Sequence, residues 1–414
     1  MNWPTVPLKR LASIRTSNVD KKTVDDDPAV RLCNYTDVYY RDSINPSQDF
    51  MRATASPDQV TTFRLKTDDV IITKDSETAD DIGVPTYVEA SAPNLVCGYH
   101  LALIRPLQKA ISGRFLFWAM ASSLIRSQLE VAATGITRFG LRADAIGSAT
   151  LALPPLPTQR AIADFLDAET ARIDALIAKK RRMIELLDER DRRMIDECFA
   201  PRSGETLVRL ARFANIQTGI TLHEGRALEG EVVTLPYLRV ANVQPGWLDL
   251  SEVKSVTIPK HMASRSTLRA GDVLMTEGGD RDKLGRGTVW RGEIPDCLHQ
   301  NHVFAVRPDP LSLNSDYLGH LTRTSHARAY FEVTGSQSTN LASTSASKVA
   351  DFAIPALSTD EQRARVDRYG RFTVRNKRIS TALTKQVDLL AEHRQVLITA
   401  AVTGEIEVPG AGTS

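Results

Sequence analysis

One long segment without glycine or proline constrains the fold of this chain more than any other feature. It runs from Thr158 to about Cys198, and its apolar residues return every three or four positions, which predicts a single amphipathic helix. At 1.5 Å per residue such a helix is roughly 60 Å long, well beyond an ordinary globular helix. A helix of this length needs another element to cover its apolar stripe.

A second segment, from Thr359 to Val402, has the same pattern of alternating three- and four-residue steps. Its positions fall 203 residues after those of the first segment, so both helices share one heptad register and predict an intramolecular antiparallel coiled coil. Polar residues at the seam lower stability and can fix register and orientation: Lys180, Asp191, Asn376 and Arg394. Two unrelated core helices are the alternative interpretation. The predicted apolar seam consists of Leu166, Ile173, Ile177, Ile184, Leu187, Met194, Val366, Tyr369, Leu383, Val387, Leu390 and Leu397.

The repetition continues outside the two helices. Five pairs of short segments occur in the same order, at separations between about 199 and 205 residues. The pairs are TDV (36–38) with ANV (241–243), LKTDDVIITK (65–74) with LRAGDVLMTE (268–277), HLALIRP (100–106) with HVFAVRP (302–308), TGITRFGL (134–141) with TGSQSTNL (334–341), and LALPPLPTQ (151–159) with FAIPALSTDEQ (352–362). The chain is therefore predicted to consist of two copies of one unit.

Each unit is predicted to be an α/β (α+β) module followed by a long helix. The predicted domains are residues 1–157 and 205–357 for the modules, and 158–200 and 358–404 for the helices. With the helices antiparallel, the modules are expected at opposite ends of the coiled coil, with approximate two-fold symmetry.

Local signals predict further details of the helices. Each module is expected to contain one helix in its later third, at Gly113 to about Ala132 and at Asp316 to about Val333. Ser358 and Glu361 have the spacing of a capping box at the start of the second long helix, and Gly404 suits the residue after its end.

Composition excludes several classes of protein. The 414 residues carry a formal net charge of +2, so nucleic-acid binding would have to come from local basic patches. The four cysteines include no C-x-x-C pair, which argues against a disulfide framework or a zinc knuckle. The chain has no signal-peptide pattern and no run of eighteen apolar residues, so we expect a cytoplasmic protein without a membrane partner.

The duplicated motifs resemble the specificity subunit of type I restriction-modification systems. The resemblance rests on LALPPLPTQRAIADFLD from Leu151, FAIPALSTDEQRARV from Phe352, the helix tails LLDERDRRMI and LLAEHRQVLI, and the terminal VTG at 402–404. It extends over nearly the whole chain. Within the modules, GDVLMTEGG and its counterparts look like strands of the family's target-recognition domains.

The resemblance implies a non-catalytic role. Each target-recognition domain would read one half of a bipartite site in double-stranded DNA, while the coiled coil sets the spacer and docks two methyltransferase (modification) subunits. Further restriction and translocase subunits would complete the restriction complex. S-adenosylmethionine, ATP and magnesium would then be bound by partner subunits, and the methyltransferase would flip the adenine.

Candidate DNA contacts are side chains that suit base edges or phosphates, in segments that glycine makes adaptable. In the second module, EGGDRDKLGRGTVWR and GSQSTN provide most of them, and the repeat assigns the others to the first module. Solvated hairpins and capped turns are the alternative interpretation of these segments. The predicted DNA-binding residues are Arg281, Lys283, Arg286, Arg291, Gln337, Asn340, Lys74, Thr137 and Arg138.

Three other motifs favour structural interpretations. Cys297, His299 and His302 form C-x-H-x-x-H, but no fourth ligand lies nearby in sequence, so no metal site is predicted. The segment Asn45–Gln48 lacks the aromatic residue of a methyltransferase motif and is predicted to be a turn. The basic run Lys179–Arg182 would point to all sides of a helix, which favours a solvated surface.

Two other functional classes compete with a specificity subunit. A self-contained DNA methyltransferase or nuclease would need a cofactor loop or a catalytic set, and we find neither in the sequence. A coiled-coil scaffold that binds other proteins is the remaining alternative. Loss of DNA retention after removal of the charges of Arg281, Lys283 and Arg286 would argue against that alternative.

Overall fold

The computed structural model describes residues 3–221, 230–279, 284–338 and 341–411. The chain forms two compact units, which we call unit 1 (Met1–Arg181 and Thr384–Ser414) and unit 2 (Arg182–Leu383). Each unit contains one globular module and a portion of both long helices.

Unit 1 contains twelve strands and five short α-helices among its described residues. The strands are β1 Thr5–Pro7, β2 Ala12–Thr16, β3 Ala29–Cys33, β4 Ser43–Ile44, β5 Met51–Thr54, β6 Val70–Thr73, β7 Asp75–Ser76, β8 Pro85–Val88, β9 Leu95–Cys97, β10 Leu101–Pro106, β11 Phe139–Gly140 and β12 Thr150–Ala152. The helices are α1 Tyr35–Tyr39, α2 Pro57–Phe63, α3 Gly113–Ala121, α4 Ser123–Ala132 and α5 Ala143–Ser148. The central sheet has the order β2-β10-β6-β8-β4.

The central sheet of unit 1 is covered on both faces. Val70 and Ile72 of β6 belong to one apolar core together with α3, whereas Ile71 between them belongs to a second core on the other face. Successive strand side chains point to opposite faces, so a strand buried on both sides reads as a continuous apolar run. This accounts for the unbroken VIIT of β6.

Unit 2 repeats this plan. Its strands are β13 Leu207–Arg209, β14 Ala214–Thr218, β15 Val232–Leu238, β16 Val243–Gln244, β17 Trp247–Leu248, β18 Lys254–Pro259, β19 Val273–Thr276, β20 Gly278–Gly279, β21 Gly287–Val289, β22 Leu298–His299, β23 Val303–Pro308, β24 Ser336–Ser338, β25 Leu341–Ser343 and β26 Ala353–Pro355. The short helices are α7 Lys260–Ser266, α8 Ser315–Leu321, α9 Ser325–Thr334 and α10 Ala346–Asp351. The sheet β14-β23-β19-β21 corresponds to β2-β10-β6-β8 of unit 1. The predicted α/β fold with two duplicated modules is therefore confirmed.

The two long helices are α6, Leu156–Phe199, and α11, Thr359–Thr403. In unit 1 the Lys180 ammonium lies 2.6 Å from the Gln386 amide oxygen, and Arg394 contacts Asp174. In unit 2, Tyr369 hydrogen-bonds Asp191. In unit 1 the residue number falls along α6 as it rises along α11, so the two helices run antiparallel there.

All the predicted seam side chains are buried or half-buried. Leu166 belongs to the core of the unit 1 module, and Ile173 and Ile177 pack with Val387. In unit 2, Tyr369 is buried in the module core together with Phe199, a residue outside the predicted seam. The ends of the long helices therefore belong to the module cores as well as to the helix pair.

A glutamine has the same role at the start of each long helix. Gln159 accepts a hydrogen bond from the Ser112 amide and donates to the Ala110 and Pro154 carbonyls, at 2.8–3.1 Å. Gln362 makes the equivalent three bonds to Asn314, Ser312 and Leu357 at 2.8–3.0 Å. Both side chains are almost fully buried, so each fixes the start of a long helix against its own module.

The prediction of one helix in the later third of each module is wrong. Helices α3 and α4 are separated at Ser122, whose extended backbone ends α3 and whose hydroxyl accepts a hydrogen bond from the Ile125 amide. Thr324 caps α9 in the same way by accepting from the Ala327 amide. A serine or threonine that caps a new helix at its own position favours a break over a continuous helix.

The predicted ends of α11 are confirmed. The Ser358 hydroxyl accepts from the Glu361 amide at 3.3 Å, and the Glu361 carboxylate accepts from the Ser358 amide at 3.1 Å. Gly404 follows the helix with φ of +78°, the left-handed conformation that glycine adopts without strain.

All four cysteines are buried and none forms a disulfide: Cys33, Cys97, Cys198 and Cys297. Burial raises the pKa of each thiol, to about 12 for Cys297. Among the described residues, no helix combines the length and the apolar character that crossing a bilayer requires.

Candidate nucleic-acid interface

Three of the predicted DNA-binding residues meet at one edge of unit 1. Strand β7 directly follows Lys74 and pairs antiparallel with β11, with Ser76 opposite Phe139. Segment 134–141, which contains Thr137 and Arg138, is thereby held beside the end of β6. We call this place, formed by residues 74–76 and 134–141, the unit 1 edge.

Lys74 is held inside the unit 1 edge. Its ammonium donates a hydrogen bond to Asp75 at 2.9 Å and lies 4.6 Å from the centre of the Tyr99 ring. Only 13% of its side chain is exposed, whereas Thr137 and Arg138 are exposed. Lys74 therefore supports the edge, and Arg138 is better placed for contact with a phosphate.

A histidine that the sequence analysis did not single out completes the unit 1 edge. His100 Nδ1 lies 2.8 Å from the Asp75 carboxylate that also binds Lys74. Burial favours the neutral carboxyl of Asp75, but hydrogen bonds from His100 and Lys74 outweigh it and lower the pKa of Asp75. The ionised carboxylate thus fixes both basic side chains.

A cleft of about 500 Å³ lies at this edge. Its basic residues are Lys21, His100 and Arg138, and its acidic residues are Asp75, Glu77 and Asp81. Lys21 and Arg138 are both exposed. Because Asp75 is already bonded to Lys74 and His100, the charge that the cleft presents to solvent comes from its other charged residues: Lys21, Glu77, Asp81 and Arg138.

Unit 2 forms an equivalent edge from the two segments that were predicted to contact DNA. Strand β20 in the glycine-rich segment pairs with β25, with Gly278 opposite Ser343, and β25 pairs with β24. We call this place, formed by residues 277–279, 336–338 and 341–343, the unit 2 edge. Two segments more than fifty residues apart in sequence thus become neighbours in one small sheet.

The predicted residues of unit 2 fall into three groups. Arg281, Lys283 and Asn340 lie outside the described residues. Gln337 lies in β24, and Arg286 is half-buried directly before β21. Arg291 follows β21, forms an ion pair with Asp316, and its amide donates to Glu293.

The histidine–carboxylate pair is repeated in unit 2, where His302 Nδ1 lies 2.7 Å from Glu277. His302 and His100 are 202 positions apart, as are Glu277 and Asp75. The aligned segments HLALIRP and HVFAVRP contained the signal for this pair. The sequence analysis missed the pair because the sequence of a single segment does not show which side chain of another segment it will contact.

The other motifs have structural roles in the described part of the chain. His299 is buried and its Nδ1 lies 2.6 Å from the Val303 carbonyl, while the Cys297 thiol contacts the Leu298 carbonyl. No group of three or more His, Cys, Asp or Glu side chains suited to a metal occurs among the described residues. The Gln48 amide closes a turn onto the Asn45 carbonyl, as predicted. In the basic run, Lys180 is a half-buried seam residue and its three neighbours are exposed.

The fold and the two edges define a class: a duplicated α/β protein on two long antiparallel helices, with paired strand segments at an equivalent place in each unit. Residues 2–186 match the family described as type I restriction modification DNA specificity domain. The match covers 185 of the 414 residues, and the predicted resemblance to specificity subunits is confirmed.

Individual relatives show the same resemblance. The chain is 22% identical over 224 residues to the type I restriction enzyme EcoKI specificity subunit of Escherichia coli (strain K12). That match covers 52% of this chain and 47% of the relative, so it spans about half of the relative's length.

Solved structures share the fold over the whole chain. A structure reported for the assembly and conformational transition of a type I R-M system has a TM-score of 0.74 and 16% identity, over 98% of both chains. The HsdS subunit from Thermoanaerobacter tengcongensis has a TM-score of 0.54 and 16% identity, over 98% of this chain and 97% of the other.

Proposed function

We propose that this chain is the non-catalytic DNA specificity subunit of a type I restriction-modification complex. Each module reads one half of a bipartite site in double-stranded DNA, and the paired long helices set the spacer. Methyltransferase subunits bind to the chain, carry S-adenosylmethionine and methylate adenine. Restriction subunits that use ATP and magnesium join the same complex in the cytoplasm.

The observation that carries the proposal is the repetition of one edge in both units. In each unit, a segment after the central strand (β6 or β19) pairs with a segment from the later third of the module. Both segments contain glycine or polar residues, which suit close approach to DNA. A reader of a bipartite site needs two such surfaces, one for each half.

Exposed apolar side chains on the long helices support the binding of partner subunits. Unit 1 exposes Leu176 by 40% and Leu389 by 52%, one from each long helix. Unit 2 exposes Leu186 by 47% and Ile379 by 37%, again one from each. Leu176 and Ile379 are equivalent in the repeat, as are Leu186 and Leu389, so each unit exposes apolar side chains at the same two repeat positions, which suits two copies of one partner.

The proposal is tested by purifying the chain alone and together with methyltransferase subunits, and then mapping methylated adenines in target DNA. We expect no methylation by the chain alone and sequence-specific methylation by the complex at a two-part site. Methylation by the purified chain alone, or binding of S-adenosylmethionine to it, would contradict the proposal.

Replacement of one module tests the division of labour. A chain whose residues 205–357 come from another specificity subunit should change one half of the methylated sequence and retain the other. Insertion of a few residues within one long helix should change the spacer and leave both halves unaltered. A change in both halves after the module replacement would argue against two independent readers.

A further inference from the structure

Two seam residues with opposite charges contact the modules as well as the helices. Asp191 on α6 and Arg394 on α11 occupy equivalent positions, 203 residues apart. Each lies in the predicted seam, where a charge lowers the stability of the helix pair. Each also bonds to a residue of the module in its own unit.

In unit 1, Arg394 joins three elements. Its Nη2 donates to Asp42 of the module at 2.9 Å, and its Nε lies 3.1 Å from Asp174 of α6. The guanidinium is 5.9 Å from the centre of the Trp118 ring of α3, and 22% of the Arg394 side chain is exposed. This one side chain therefore connects α11 with α6 and with the module.

In unit 2, Asp191 has the corresponding role with the charges exchanged. It accepts hydrogen bonds from the Tyr369 hydroxyl at 3.0 Å and the Thr373 hydroxyl at 3.3 Å, both on α11. Arg323, between α8 and α9 of the module, lies 3.5 Å from the same carboxylate. The side chains of Asp191 and Arg323 are 22% and 20% exposed, so the contact is largely shielded from solvent.

We propose that Arg394 and Asp191 are positioning residues that fix the angle of each module on its helix pair and thereby enforce one spacer length. This inference rests on the proposed function. One additional base pair moves a half-site by about 3.4 Å along the duplex and rotates it by about 35°. A module that rejects DNA with the wrong spacer must therefore be held so firmly that its orientation varies by only a fraction of that rotation.

The exchanged charges also make the two modules non-interchangeable. If the unit 2 module lay on the unit 1 helix pair, Arg323 would face Arg394. If the unit 1 module lay on the unit 2 helix pair, Asp42 would face Asp191. Arg323, Arg394 and Asp191 are only 20–22% exposed, whereas Asp42 is 69% exposed. The repulsion between Arg323 and Arg394 would therefore be the stronger of the two, and it matches the unit 2 module to its own portion of the long helices.

The variants needed for a test should fold. In Arg394→Gln, the Gln159 bonds and the hydrogen bond from Gln395 to the Ala121 carbonyl still join the module to the helices. Asp191→Asn keeps the shape of the side chain, removes its charge and replaces one acceptor oxygen by an amide donor. Arg182→Gln is the matched control, because Arg182 is exposed and pairs with Glu185 and Glu189 on the same helix.

The experiment uses the full chain in complex with methyltransferase subunits. Duplexes carry the same two half-sites with the wild-type spacer, one base pair fewer or one more. We expect Arg394→Gln and Asp191→Asn to raise methylation of the altered spacers, relative to the wild-type spacer, by roughly tenfold. Arg394→Lys retains the charge and should show a smaller rise, and Arg182→Gln should match wild type.

The outcomes separate the inference from the proposed function. If methylation by the variants falls in parallel on all three spacers, the two residues act only on stability and the positioning role is overturned. The proposed function would still be supported if the wild-type complex methylates only the duplex with the wild-type spacer. If the wild-type complex methylates no two-part site, the proposed function itself is contradicted.

Discussion

Arg307 donates two hydrogen bonds to the buried carboxylate of Asp272, from Nε to Oδ1 and from Nη2 to Oδ2, both at 2.7 Å. The Arg269 amide donates to the same carboxylate at 2.8 Å. Unit 1 repeats the arrangement with Arg105 and Asp69, at 2.7 and 2.8 Å. The pair joins the turn before the central strand to the neighbouring strand in each unit.

Asp272→Ala should destabilise unit 2 by about 3–5 kcal/mol, because the Arg307 guanidinium would lose its buried partner. Replacement of both residues by apolar ones, Asp272→Leu with Arg307→Met, should recover much of that loss. Urea unfolding measures the change. Asp360→Ala is the control, since Asp360 is 93% exposed. Equal stability of Asp272→Ala and the control would contradict this role of the pair.

Gln362→Ala should lower the stability of unit 2 by about 2–4 kcal/mol. The change leaves the Asn314 amide and the Ser312 and Leu357 carbonyls without their bonds to the side chain, in a buried position. Thermal unfolding and hydrogen exchange at the start of α11 measure the effect. Gln386→Ala, which removes an exposed partner of Lys180, should have little effect. Similar losses in both variants would count against the anchoring role of Gln362.

Unit 2 should lose stability as the pH falls through the range from about 6.5 to about 4. Burial, together with the charge of Arg323, lowers the pKa of His320 to about 4 from its ordinary 6.5. The unfolded chain therefore takes up the proton at higher pH than the folded chain, and the cost reaches roughly 3 kcal/mol at the lower limit.

His320→Gln tests this pH dependence, since it should flatten the dependence of unfolding free energy on pH in that range. Some dependence should remain, because burial also lowers the pKa of His299. His261 is exposed, so His261→Gln should retain the wild-type curve. An unchanged slope in His320→Gln would refute the assignment.

Asn376→Leu should stabilise the helix pair of unit 2 by roughly 1 kcal/mol. Asn376 Nδ2 donates to the Leu187 carbonyl at 3.1 Å, but its buried Oδ1 has no partner among the described residues. Thermal unfolding of the variant should show a higher midpoint. Lys377→Leu, at the exposed neighbouring position, should leave the midpoint almost unaltered. A lower midpoint for Asn376→Leu would show that the polar contact outweighs the unsatisfied oxygen.

Arg138→Gln should weaken binding of the complex to DNA and reduce the slope of log affinity against log salt concentration by about 1, as expected for one lost phosphate contact. Fluorescence anisotropy between about 50 and 200 mM salt measures the slope. Arg142→Gln is the matched control, because Arg142 is 80% exposed and paired with Asp144. An unaltered slope in Arg138→Gln would place DNA elsewhere on unit 1.

The long helices and the duplication could be predicted from the sequence because both are periodic. A seam at Ile173 and Ile177 follows from the helical repeat alone, and equivalent residues such as Gln159 and Gln362 follow from the alignment of the two units. The break at Ser122 could not be predicted, because a serine fits a helix interior or a cap and tertiary packing decides between them.

The candidate interface was only partly accessible to sequence reasoning. Lys74 and Arg138 were both selected as cations, but their exposure depends on the pairing of β7 with β11. In the folded edge the Asp75 carboxylate binds both His100 and Lys74, which holds the Lys74 ammonium in place. Which cation faces outward is thus a property of the folded edge, and the DNA contacts remain a prediction.

The buried thiols make this chain convenient for spectroscopy. The four native cysteines are buried and their thiols resist ionisation: Cys33, Cys97, Cys198 and Cys297. A maleimide dye should therefore not react with them, and should label a cysteine introduced on the surface. With one such dye in each unit, energy transfer would measure whether the distance between the two dyes changes when the chain binds its target.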